Sequence, residues 1–281
     1  MTAPSPVTVR TPAAAASVVL VGGHESAAAR DLAPWAGSGA GDTYTVVPAG
    51  APLTQAVARL LAERDAPVCV IPMTLGRDRA LVAEAARSLR WAQEGGGSGR
   101  TVLGAPFGTQ DHLVGWLRAA AGRGAGDATA VLVTAPAADP FADAELFRVA
   151  RLVRQYGGHR WVEVAFTDGD PDVPQGVERC RRLGAEDVLL LSAGFGPPAT
   201  SSPPVAGAVD GGPLLSRAAV EGVVAARRTE ALHRLAHGDD GVAAGLDAEH
   251  GHGFAHTHAD TSAPSAPGAH THSHPHAHLP H

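Results

Sequence analysis

Two groups of residues in this chain have the types and spacing for metal chemistry. The first is a single histidine in the stretch Ser17-Val18-Val19-Leu20-Val21-Gly22-Gly23-His24-Glu25-Ser26. Its apolar run is too short for a helix, rich in β-branched residues and stopped by Gly-Gly, so it reads as a buried parallel strand. Ligands in open α/β sheets collect beyond the carboxyl ends of the strands, which places His24 where a site is expected; the competing reading is a loop histidine with no role. An imidazole there can ligate a divalent metal and, near neutral pH, accept a proton. The second group lies at the C-terminus: His250, His252, His256, His258, His270, His272, His274, His276 and His278, separated by Gly, Ala, Ser, Thr and Pro. That composition cannot build a packed core, and alternating imidazoles on such a chain chelate nickel, cobalt, zinc or copper in many equivalent ways.

Composition removes several other chemistries. All 22 basic residues are arginine, so a Walker-type phosphate loop, a Schiff-base lysine and a lysine general base are excluded. A formal net charge of -6 with no basic stripe argues against nucleic acid as a partner. Cys69 falls in an apolar run and Cys180 in a helical pattern, which predicts buried free thiols in a reducing compartment. No secretory signal precedes Val18 and no stretch reaches the roughly 18 apolar residues of a membrane helix, so the expected location is the cytoplasm, with no membrane partner.

The elements that must position His24 follow an alternating strand and helix pattern. Strands are expected at 17–21, 43–47, 68–71, 101–103, 130–133, 161–166 and 188–191. Helices are expected at 26–33 behind a Ser26 cap, 52–61, 80–91, from 111, 142–155, 174–183 and 214–237. The two halves lie over one another. Pro52-Leu53-Thr54-Gln55-Ala56-Val57 answers Asp172-Val173-Pro174-Gln175-Gly176-Val177, and Val68 to Gly76 answers Val188 to Gly196. The expected fold is α/β, with two tandem duplicated parallel-sheet, flavodoxin-like domains facing a cleft. Their bounds are a disordered 1–16, an N-terminal domain 17–126, a C-terminal domain 127–237 and a disordered histidine-rich 238–281. Arg77 and Arg79, after the strand ending at Ile71, have the forked donors that suit carboxylates.

The order and spacing of these segments resemble the class II chelatases, the sirohydrochlorin cobalto- and ferrochelatases of cobalamin and siroheme synthesis. The resemblance covers roughly residues 17–230. Leu20-Val21-Gly22-Gly23-His24-Glu25-Ser26 looks like the family's opening Leu-Val-Gly-His-Gly-Ser, with Glu25 for a glycine. Val131 to Pro140 is similar to a second-half segment that ends in Asp-Pro. The resemblance implies a chelatase that takes Co2+ or Fe2+ (Ni2+ is a further candidate) as substrate, with no organic cofactor. Sirohydrochlorin would be the partner, and the chain a monomer or homodimer. It implies a metal-ligand and base role for His24, and substrate contacts for Arg77 and Arg79. The family's second histidine is replaced here by Leu75-Gly76-Arg77-Asp78-Arg79, so Glu25, Asp78 or His112 would complete the coordination. A metal-binding or storage protein on the same fold, or a metallochaperone, without insertion activity is the alternative.

Overall fold

Alternating burial along the strands explains the layers. In β1 (Ser17–Gly22) Val18 and Leu20 face one apolar cluster while Val19 and Val21 face another, so both sides of the strand are covered. The computed structural model describes residues 16–37, 43–198 and 206–248. β1 is followed by β2 (Tyr44–Pro48), α1 (Ala51–Glu63), β3 (Val68–Met73), α2 (Arg79–Ala92), β4 (Thr101–Leu103) and α3 (Gln110–Gly124). The second half holds β5 (Thr129–Pro136), α4 (Pro140–Gly157), β6 (Val162–Thr167), α5 (Val173–Arg182), β7 (Asp187–Ser192), β8 (Ala208–Asp210) and α6 (Arg217–Ala236), and α7 (Val242–Asp247) ends the described chain.

The repeat expected from the sequence is present in the topology. Each half builds an all-parallel four-stranded sheet, in the orders β2-β1-β3-β4 and β6-β5-β7-β8. The halves diverge in their connections. The link from β1 to β2 is a pair of short 3-10 turns where the second half has the long helix α4, and α2 has no helical counterpart among the described residues between β7 and β8.

The helix that follows the last strand of each half crosses to the other. α3 packs against β7 and α4, and α6 packs against β3 and β4. One apolar cluster therefore runs from Leu20 and Ile71 through Leu113, Leu117, Val149 and Val224 to Val133 and Leu191. The outer faces are covered separately, by α1 and α2 on the first sheet and by α5 on the second. Cys69 and Cys180 are buried and unpaired, and burial pushes both thiols up to about 12. No helix among the described residues is long and apolar enough to cross a membrane.

Two local expectations are corrected. Residues 26–33 do not form a helix: the chain makes 3-10 turns at His24–Ser26 and Arg30–Trp35, joined by Ala27, Ala28 and Ala29 at positive φ (49°, 53° and 70°). Three left-handed alanines oppose local preference, and tertiary contact holds them: Ala29 is buried against Gly22, where any Cβ would overlap Ser26 and Ala29. The ordered chain also continues past residue 238. The Asp240 carbonyl accepts from the Leu103 amide at 2.8 Å, Arg234 donates to the Leu103 carbonyl at 2.8 Å, and α7 lies on α2 with Val242 buried. This segment covers the free edge of β4.

A chain ending after Gly238 should therefore be less stable than one ending after Ala248 by about 2–4 kcal/mol, the scale of one buried valine plus the hydrogen bond from the Leu103 amide to Asp240. Denaturant unfolding of the two checks this, and identical midpoints would contradict the edge-covering role of the segment.

Candidate functional site

The strand order sets the location. In an order 2-1-3-4 successive connections leave in opposite directions between β1 and β3, and the crevice beyond their carboxyl ends is where such sheets bind ligands. His24 follows β1 and Thr74 to Asp78 follow β3, so both segments meet at that point.

Asp78 organises the meeting. Its Oδ2 lies 3.0 Å from His24 Nδ1 and also accepts the His24 amide at 3.0 Å, while Oδ1 caps α2 by accepting from the Leu81 amide at 3.0 Å. A carboxylate on Nδ1 fixes the proton there and leaves Nε2 as the lone-pair nitrogen. Nε2 is buried and has no hydrogen-bond partner. The Gly-Gly before His24 has a physical reason here, because a Cβ on Gly23 would overlap Asp78 Oδ2.

Glu25 is fully enclosed. Its Oε2 accepts from the Thr74 hydroxyl and, at 3.0 Å, from the Leu75 amide, and Oε1 has no partner. Across the crevice its carbonyl accepts from the Phe195 amide at 3.0 Å, so the end of β7 closes onto the end of β1. Arg77 makes the second crossing: its Nη2 is 3.4 Å from Asp143 Oδ1 and its Nε 3.4 Å from the Ala142 carbonyl, with the side chain 0% exposed.

These groups shift one another. Burial opposes charging His24, but the hydrogen bond and charge of Asp78, helped by Glu25, outweigh burial and hold the imidazole above its ordinary pKa while Arg77 pulls it down. Burial would raise Asp78, yet its bonds to His24 and to the Leu81 amide hold it below the usual carboxylate value. Glu25 is pushed up by burial against the Thr74 hydroxyl, Arg77, His24 and the Leu75 amide. Burial lowers Arg77 despite the opposite charges of Glu25, Asp143, Asp78 and Asp139.

The residues expected from the sequence are thus partly gathered. His24, Glu25, Arg77 and Asp78 form one buried electrostatic cluster. His112 is engaged elsewhere, as the third residue of α3, where it closes that helix's N-terminus with Thr109 and stacks on Trp116 at 5.5 Å. Among the described residues no three His, Cys, Asp or Glu side chains converge as a metal-holding group, so His24, Glu25 and His112 do not form one ligand set. Arg77 reaches Asp143 through Nη2, with its buried Nη1 unpartnered, whereas Arg79 lines a cavity of about 680 Å³. That cavity reaches the cluster only through Thr74 and Asp78. Asp78, open as a ligand in the sequence, serves instead to orient His24. Thr74 and Asp143 carry no motif that would single them out. The histidines from His250 to His278 lie outside the described residues.

No protein-family model and no curated protein sequence matches the chain.

The pKa directions fix a pH window. His24, raised when folded, adds stability that is full below the ordinary imidazole value of 6.5 and is lost as pH rises through the raised one. Asp78, lowered, adds stability present above its ordinary 3.8 and lost as pH falls through the lowered value. Replacing Asp78 with Asn keeps the helix cap and removes the charge. In thermal melts the wild-type advantage over Asp78→Asn should be largest between about pH 4 and 6.5 and shrink above it; an advantage that grows with pH above 6.5 would refute the ion pair.

Proposed function

We propose that this chain is a chelatase that inserts a divalent ion, Co2+ or Fe2+, into sirohydrochlorin in cobalamin or siroheme synthesis, with the ion as substrate. The observation that carries this reading is His24: an imidazole at the switch point of a parallel sheet, its Nδ1 held by Asp78 and its Nε2 buried and unpartnered. A carboxylate behind an imidazole raises the basicity of the far nitrogen and fixes its direction, as a metal ligand requires. The duplicated sheets and the opening Gly-Gly-His support the chelatase assignment by resemblance.

Insertion exchanges two pyrrole N–H protons for one dication. His24 presents Nε2 to the incoming ion, and Asp78 and Glu25 supply negative charge nearby. Arg77 opposes this attraction, so the ion is held weakly enough to be handed on. The histidine-rich segment collects ions when they are scarce, and the fixed geometry between ion and macrocycle that insertion needs falls to His24. The histidine-rich composition of the C-terminal segment supports a second reading, a metal-binding, storage or metallochaperone protein on the same fold that does not insert.

Following the absorbance of sirohydrochlorin with Co2+, Fe2+ or Ni2+ separates the two readings, and no rate above the uncatalysed one selects the second. In the first, His24→Ala slows insertion by about 100-fold or more with the melting temperature little changed. A chain ending after Ala248, which keeps α7, should match the full chain at excess metal and fall behind only at limiting metal. Loss of activity at every metal concentration would mean that the histidine segment supplies a ligand of the site.

A further inference from the structure

His233 and His237 belong neither to the His24 cluster nor to the histidine-rich segment. They stand at i and i+4 at the C-terminal end of α6, His237 being the residue that caps it, and both are exposed. Residues at that spacing share one face of a helix, one turn above the other. The two rings lie close, with centroids 4.5 Å apart and planes inclined by 37°.

Hydrogen bonding decides which ring atoms are open. His237 Nδ1 lies 2.8 Å from the His233 carbonyl oxygen, and a carbonyl only accepts, so Nδ1 carries a proton and the lone pair of the neutral ring is on Nε2. A backbone carbonyl on one ring nitrogen is the support that orients a metal-ligating histidine. Capping alone would use Nδ1 and make no demand on a second imidazole. Two metal bonds of about 2.1 Å meeting at about 90–109° need nitrogens about 3.0–3.4 Å apart, a separation open to rings at this centroid distance.

The surroundings admit a dication. The unpaired carbonyls in the last turn of a helix favour positive charge. Arg234, the cation between the two histidines in sequence, is committed elsewhere: its Nη2 donates to the Leu103 carbonyl at 2.8 Å and its Nη1 meets Asp239 at 3.4 Å. Among the described residues no third His, Cys, Asp or Glu converges with the pair.

We propose that His233 and His237 form a two-histidine chelate for a late first-row dication such as Ni2+, Cu2+, Zn2+ or Co2+. The ion is bound through His237 Nε2 and one nitrogen of His233, with water in its remaining positions. Imidazole suits these ions, whereas Mg2+ and Ca2+ prefer oxygen ligands. Two protein ligands are fewer than the four of a closed structural site, so the ion stays exchangeable. This site is separate from the one at His24 and holds whether or not the chain is a chelatase.

The test melts the full-length wild type, His233→Ala and His237→Ala in EDTA, in Mg2+ and in Ni2+ in excess of all histidines. His24 and the histidine-rich segment are common to the three proteins, so a difference between them reports the pair. An ion that binds the folded helix better than the unfolded chain raises the melting temperature. Going from EDTA to Ni2+ should raise the wild type by about 2 °C or more beyond the rise in either variant, and Mg2+ should produce no such difference. A Ni2+-induced rise that is the same in all three proteins overturns the proposal and leaves the pair as a helix cap. Backbone NMR of the same full-length proteins supplies a second reading. Paramagnetic Cu2+ should broaden the amide signals from Leu232 to Gly238 in the wild type and spare them in both variants, and broadening that survives in the variants overturns the assignment.

Discussion

The shared inner layer of helices is the constraint from which the rest of the structure follows. Because α3 packs on the second sheet and α6 on the first, neither half can bury its inner face alone, and one apolar cluster spans both. That arrangement holds the end of β1 against the end of β7, where the Glu25 carbonyl meets the Phe195 amide, and brings Arg77 to Asp143. A site built at such a junction inherits the rigidity of the core behind it. Two loosely linked domains would leave the same side chains solvated and mobile.

Burial at the junction then governs the chemistry. Four charged or chargeable groups, His24, Glu25, Arg77 and Asp78, share a region from which water is largely withdrawn, so each is set by its neighbours rather than by solvent. Asp78 spends its carboxylate on the imidazole, the His24 amide and the α2 cap together, which makes it the least replaceable of the four. Gly23 gives it room, and the left-handed Ala27 to Ala29 turn carries the chain away immediately after Glu25 and Ser26. A strained backbone next to an oriented imidazole is the combination expected where geometry matters more than local stability.

Much of this was legible in the sequence. The seven expected strands all lie where short β-branched runs predicted them, and the match of Val68–Gly76 with Val188–Gly196 falls on β3 and β7, which occupy equivalent places in the two sheets. What escaped has physical reasons. β8 is three residues long with Val209 half exposed, too short to show a period. α7 sits in a Gly- and Asp-rich stretch whose order comes from the β4 edge and not from its own propensity. Ala27 to Ala29 are strong helix formers overruled by contact with Gly22. At the site, His24 could be picked out from its place after a strand. The partners of Arg77 and His112 could not, because Asp143 and Thr109 are brought to them by tertiary structure and local capping.

The ligand role proposed for His24 stands or falls on which of its nitrogens carries the proton. Nitrogen-15 NMR of the imidazole, recorded at a pH above its raised titration, reads this directly, and addition of Zn2+ as a diamagnetic probe reads which nitrogen meets the metal. The expected result is a proton on Nδ1, a bare Nε2, and a metal-induced shift at Nε2 that is lost in Asp78→Ala. A proton on Nε2 with no response to metal would contradict the ligand role.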